Sequence, residues 1–168
     1  MNPVTRSAIA ALALIIGMSG CNLLSVDYKL YPGPELPKNE IAQLSVMPFH
    51  QSFSEGWREY DYKVRIEHIF GLESGRRLNF EPKLDRNFLL PPGSYKVYVM
   101  LYIIGSHGEI SRSATLDLSF KAEAGCTYHV MYDKSKEKEK RGLPDLAWIE
   151  DVQTKRVVSE KVHFPEPQ

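Results

Sequence analysis

The chain has 168 residues, 43% apolar and 25% charged, with 21 basic and 21 acidic side chains that cancel. That size suits one domain able to bury a core without staples, and the composition is that of a folded chain rather than a disordered one. Zero net charge argues against binding by bulk electrostatics, so no nucleic-acid partner is expected.

The first element in chain order is an apolar run of nine residues, Ala8 to Ile16, preceded by Arg6. It is far shorter than the roughly 20 residues that cross a bilayer and fits the central region of an export signal. Small residues then lead to a cysteine in Met18-Ser19-Gly20-Cys21. This stretch resembles the lipobox of bacterial lipoproteins, whose usual form has Leu where Met18 stands. The resemblance implies a signal peptide over residues 1–20, cleavage between Gly20 and Cys21, and acyl chains on Cys21. Each buried methylene of such chains contributes about 0.8 kcal/mol, and two or more chains hold a protein stably. The lipid bilayer is therefore the first expected partner. Loss of residues 1–20 leaves 20 basic against 21 acidic residues, so lipid rather than charge does the holding. By the same resemblance, Asn22 in place of an Asp favours the outer membrane over the inner one, with the domain facing the periplasm.

A lipidated Cys21 leaves Cys126 without an intramolecular disulfide partner. In Ala124-Gly125-Cys126-Thr127-Tyr128 that thiol reads as buried and inert. Residues 21–38 read as a lipidated tether, because Tyr31 to Pro37 holds three prolines and a glycine. Fully extended at ~3.3 Å per residue it could hold the domain up to ~55 Å from the membrane. A second reading stays open, in which Tyr28, Leu30 and Tyr31 dock on the domain edge as an irregular strand. The domain itself is expected over 39–164, with a short tail at 165–168.

Within it, period-two alternation dominates. Ala42, Leu44 and Val46 mark a short strand. Tyr60, Tyr62, Val64, Ile66 and Phe70 share one parity, with His68 as the single break. Leu78 to Phe80 and Phe88 to Leu90 are short strands. After the Pro91-Pro92-Gly93 turn, Tyr95, Val97, Val99, Leu101 and Ile103 share one face, and Lys96, Tyr98, Met100 and Tyr102 the other. That pattern predicts a central strand. Gly105-Ser106-His107-Gly108 predicts a hairpin, returning through Ala114, Leu116, Leu118 and Phe120 with Thr115, Asp117 and Ser119 outward. Cys126, Tyr128, Val130 and Tyr132 alternate next. A last hairpin runs from Leu146, Trp148 and Ile149, turns near Gln153-Thr154 and returns through Val157, Val158 and Val162. Seven to nine short strands with no convincing helix predict an all-β fold, a single antiparallel β-sandwich.

Leu89-Leu90-Pro91-Pro92-Gly93-Ser94-Tyr95-Lys96-Val97 resembles the edge of PEGA-type and transthyretin-like β-sandwich modules, in which such a turn delivers a strand whose aromatic plugs the core. The whole chain is similar to small envelope lipoproteins, through Leu36-Pro37 ahead of Glu40-Ile41-Ala42 and through Trp148-Ile149-Glu150-Asp151. That resemblance carries over no activity.

Chemistry is hard to find. The five histidines show no zinc spacing, and neither a metal nor a cofactor is expected. There is no G-x-S-x-G elbow, S-x-x-K or glycine-rich phosphate loop. Glu123, Asp133, Glu150 and Asp151 read as solvated carboxylates, so the chain reads as a non-enzyme. Two sets of contact residues stand out. The run Lys134 to Arg141 carries five positive and two negative charges; Lys136, Lys138 and Lys140 could meet phosphate-bearing lipid or polysaccharide, against the plainer reading of a solvated loop. Trp57, Tyr98 and Tyr102, with Tyr60, could form a platform for sugar rings or a protein, against the plainer reading of core aromatics. The expected function is a membrane-anchored, non-catalytic binding or structural role with an envelope protein as partner. The alternative is a carbohydrate- or peptidoglycan-binding module, with a glycan as ligand.

Overall fold

The computed structural model describes residues 27–47, 51–55, 58–78, 87–134 and 144–167, with the backbone alone at 51–55, 58–59, 76–78 and 134. Among the described residues all regular structure is β. In chain order the strands are β1 (Asp27–Lys29), β2 (Ala42–Val46), β3 (Gln51–Glu55), β4 (Arg58–Gly71), β5 (Arg76–Leu78), β6 (Asn87–Leu90), β7 (Gly93–Gly105), β8 (Ile110–Ala122), β9 (Thr127–Lys134), β10 (Pro144–Asp151) and β11 (Val162–His163). One sheet has the order β1-β6-β2-β9-β10-β11; the other is β3-β4-β7-β8, with β5 paired to the end of β4.

Alternation builds the core between them. On β7 the odd positions Tyr95 to Ile103 are buried and the even ones are half-exposed, because neighbours pair on both sides. On β8, Ala114, Leu116, Leu118, Phe120 and Ala122 are buried while the residues between them are wet. These meet Leu44, Phe88, Leu90, Tyr128, Val130, Ala147 and Ile149 of the first sheet in one continuous cluster. Phe120 packs edge-on to Tyr128 with ring centroids 5.2 Å apart. The hydroxyl that Tyr128 carries into this apolar region is satisfied by the Glu123 N–H at 3.0 Å. Each large side chain so buried contributes about 1.5–3 kcal/mol.

Three expectations need correcting. The pairing is mixed rather than wholly antiparallel: β1 runs parallel to β6, and β2 runs parallel to β9. Strands adjacent in sequence must pair antiparallel through tight turns, but these pairs are far apart along the chain and escape that limit. Along β4, the pairs Ile66–Val99 and His68–Tyr98 leave Glu67 as an extra residue. This bulge resets the parity by one position. Ile69 is therefore buried, and Phe70 moves to the outer face beside Tyr98, with ring centroids 5.5 Å apart. Cys126, expected to be buried, is half-buried at the edge of the core.

Of the two readings of residues 27–31, the structure has the docked one. Asp27, Tyr28 and Lys29 pair with Asn87, Phe88 and Leu89. The Leu30 N–H donates to the Leu89 carbonyl at 3.1 Å, and the Leu30 side chain joins the core. The sheet thus takes in the second half of the expected tether.

Registers also define two ends of the molecule. The finish of β9 and the start of β10 lie together at one end, whereas Tyr28 of β1 is level, through Phe88, Leu44 and Tyr128, with Asp151 at the finish of β10. Only Pro91-Pro92 separates β6 from β7, and only four residues separate β8 from β9, so the sheets are joined at the opposite end. The β7–β8 hairpin, Ser106 to Glu109, therefore falls at the end where β9 finishes and β10 starts. Consistent with this, Tyr132 near the finish of β9 lies close enough to Tyr62 to add to burial in raising the pKa of that phenol.

Replacing Leu30 by Ala should lower stability in urea unfolding by about 2 kcal/mol, the low end for a leucine truncated in a core. A change below about 0.5 kcal/mol, the range of surface substitutions, would mean the segment is not docked.

Candidate functional site

Among the described residues, β8 is hydrogen-bonded to β7 and is the last strand of its sheet. At 13 residues it is long for an edge. In an antiparallel ladder, alternate residues aim both N–H and C=O away from the partner, so about six residues of β8 offer these groups outward. Natural edges are usually short, bulged or covered. This one carries a bulge at Ser111 near its start and the charges of Asp117 and Lys121 further along. Asp117 accepts from Lys96 Nζ at 2.9 Å, an exposed pair on the sheet surface.

A groove of about 920 Å³ runs beside the second half of β8. Its far wall is the segment 156–162, which returns beside β10 through an isolated bridge at Val157 and an irregular stretch before pairing antiparallel as β11 from Val162. That wall is fastened from behind. Val157 bridges to Glu150, the Val158 N–H donates to the Ile149 carbonyl at 2.9 Å, and the Ile149 N–H donates to Ser159 Oγ at 2.8 Å. Leu118, Tyr128 and Val158 give the groove apolar surface, and Asp117, Lys121 and Glu160 give it charge.

The turn that starts the wall is set by Asp151. Its Oδ1 accepts from the N–H groups of Gln153 at 2.9 Å and Thr154 at 2.8 Å. These bonds, with Thr154 foremost and Arg156 nearby, hold the carboxyl below the usual range. They also support Lys155, whose φ of 58° is left-handed and costs a side-chain-bearing residue of the order of 1 kcal/mol. On β9, opposite Glu150, burial, then nearby Lys155, pushes His129 down.

Of the aromatic residues singled out in the sequence, Tyr98 and Tyr102 share a face and Tyr60 does not. Tyr98 and Tyr102 lie half-buried on the outer face of the β4–β7–β8 sheet. Tyr102 donates to Glu67 Oε1 at 2.6 Å; burial, then this bond, pushes its phenol up to about 12. The Arg65 guanidinium sits 5.5 Å from the Tyr102 ring. Tyr98 contacts His68 and Phe70 with ring planes tilted by 59° and 56°. Tyr60 has the inward parity and packs against the core, with Arg112 5.9 Å from its ring. Tyr60 is thus on the opposite face from Tyr98 and Tyr102, and the three do not form one platform. Gly20, Cys21, Trp57, Lys136, Lys138 and Lys140 lie outside the described residues.

Among the described residues, no three His, Cys, Asp or Glu side chains converge as a metal site, and no helix is long and apolar enough to cross a membrane. No protein-family model matches the chain, and no match was found among curated proteins or solved structures. The groove wall was missed in the sequence because Val157, Val158 and Val162 resemble a return strand. Ser159-Glu160-Lys161, which interrupts the apolar pattern, is the signal that the strand is broken there.

Asp151→Ala should cost about 1–2 kcal/mol at neutral pH. Because the folded pKa is depressed, this contribution is complete above the ordinary Asp value of about 3.9 and is lost as pH falls through the lower folded value. Urea melts of both proteins from pH 6 to pH 2 should therefore converge in acid. A gap unchanged over that range would show that the carboxylate charge is not what holds the turn.

Proposed function

We propose that this chain is a lipid-anchored envelope protein with a non-catalytic role, and that its domain binds an extended segment of another envelope protein along β8. The observation that carries the reading is the 13-residue open edge with a groove beside it. An added strand would pair with the outward N–H and C=O groups of β8, each bond worth about 1 kcal/mol net. Alternate side chains of the incoming segment would enter the groove, the usual division between affinity and specificity in strand addition.

Two further features support the framework. The lipobox-like Met18-Ser19-Gly20-Cys21 supports cleavage and acylation at Cys21 and a periplasm-facing position, with the outer membrane favoured. Two sheets over one core, joined by Pro91-Pro92-Gly93 with Tyr95 buried behind the turn, support a single β-sandwich of the PEGA-like or transthyretin-like kind. The Tyr95 hydroxyl donates back to the Pro91 carbonyl at 2.8 Å, so the turn and the plug hold each other.

The test is photo-crosslinking in native envelopes. A photoreactive residue replacing Ser119, which lines the groove from the edge strand, should give one discrete protein adduct. The same residue replacing Tyr102, on the same sheet face but one strand in from the edge and outside the groove, should give none. Cys21→Ser should move the protein from the membrane to the soluble fraction. Equal labelling at both positions, no adduct at Ser119, or a Cys21→Ser protein still held by the membrane would each contradict the reading.

A further inference from the structure

We propose that the segment taken up along β8 is a basic one, with apolar side chains at alternate positions entering the groove and positive charge meeting Glu123 and Glu160. This rests on the strand-addition reading above, and it adds the chemistry by which one segment would be chosen over another.

The ladder determines which backbone groups of β8 turn outward. The Leu72 N–H donates to the Ser94 carbonyl at 2.8 Å, next to the pair Gly71–Tyr95. In an antiparallel ladder, hydrogen-bonded and non-bonded pairs alternate, so the even residues of β7 bond to β4 and the odd ones to β8. Gly105 has the same parity, since its N–H donates to the Glu109 carbonyl at 2.9 Å. The odd residues of β7 stand opposite Ala114, Leu116, Leu118 and Phe120. The N–H and C=O groups that point outward therefore belong to Ser113, Thr115, Asp117, Ser119 and Lys121.

An added strand inherits this parity. Its residues opposite Asp117, Ser119 and Lys121 bond to the backbone and keep their side chains on the wet face. The residues between them, opposite Leu118 and Phe120, point into the groove. There they meet Tyr128, Val157, Val158 and Val162. Two apolar side chains separated by one residue suit that surface, whereas a charged one would lose water there without gaining a partner.

Charge makes the second selection. The groove is lined by the carboxylates of Asp117, Glu123, Asp151 and Glu160 and by the cations of Lys121 and Arg156. Asp117 is paired with Lys96, and Asp151 is occupied by its turn with Arg156 beside it. Among the described residues, Glu123 and Glu160 are in no ion pair, and both are exposed. Two carboxylates thus remain against Lys121. The excess is negative, so it attracts a basic segment and repels an acidic one.

Full-length protein in detergent, with a photoreactive residue replacing Ser119, would be irradiated with either of two fluorescent peptides. Both alternate valine and threonine over the same length; one has lysine at each end, the other glutamate. The lysine peptide should give about fivefold more adduct at low salt, the order expected of two exposed charge contacts. Glu123→Gln combined with Glu160→Gln should abolish the preference. Equal or reversed labelling, or a preference unchanged in the double variant, would overturn the charge selection and leave strand addition standing. No adduct with either peptide, at a position that labels in native envelopes, would overturn the proposed segment chemistry alone. No adduct in either setting would overturn strand addition with it. A band of twice the chain mass before any peptide is added would mean that a second copy takes the edge, and would overturn both.

Discussion

The parallel pairing of Asp27–Lys29 with Asn87–Leu89, with Leu30 buried behind it, determines where the chain enters its domain. A proline-rich stretch follows at once, and there the Leu36 N–H donates to the Tyr31 hydroxyl at 3.0 Å, which folds the stretch back on itself. The prolines that look like a spacer in the sequence therefore lie downstream of the docking point. They connect β1 to β2 across the sheet instead of extending the domain from its anchor. One short strand thus converts a long tether into a short one.

The second constraint is parity. Each inward position of β7 and β8 matches an apolar residue, and a slip of one residue would turn both core faces to water. The Glu67 bulge is the place where parity is deliberately changed. Its carboxylate is taken up by Tyr102, and the shift delivers Phe70 to Tyr98 on the outer face. That outer face is consequently occupied by its own aromatic and ionic contacts. The face is closed, whereas the β8 edge is open.

Much of this was legible in the residues. Alternation alone placed β7 as a central strand and β8 as a strand wet on one face, and it placed the Gly105–Gly108 hairpin, because those signals are local. Strand order was not legible. Nothing in the alternation of Ala114 to Phe120 distinguishes an edge strand from an interior one, since that depends on which distant segment fails to pair beside it. The parallel partners β1–β6 and β2–β9 were hidden for the same reason. The bulge left a trace, the break at His68, but the trace alone does not say that Phe70 changes face. As for the site, Tyr98 and Tyr102 were correctly grouped on one face, while Tyr60 was grouped with them across a sheet that separates them.

Taken together, β1 brings the folded domain to within six residues of Cys21, and the β8 edge with its groove is the surface that domain presents. That short connection depends on residues 27–30 belonging to the folded unit. Native-state hydrogen exchange of the Leu30 amide tests this most directly. The account predicts protection comparable to that of core amides on β2 and β9, because the N–H is bonded to Leu89 and the side chain is buried. Exchange at the rate of an unstructured peptide would contradict it.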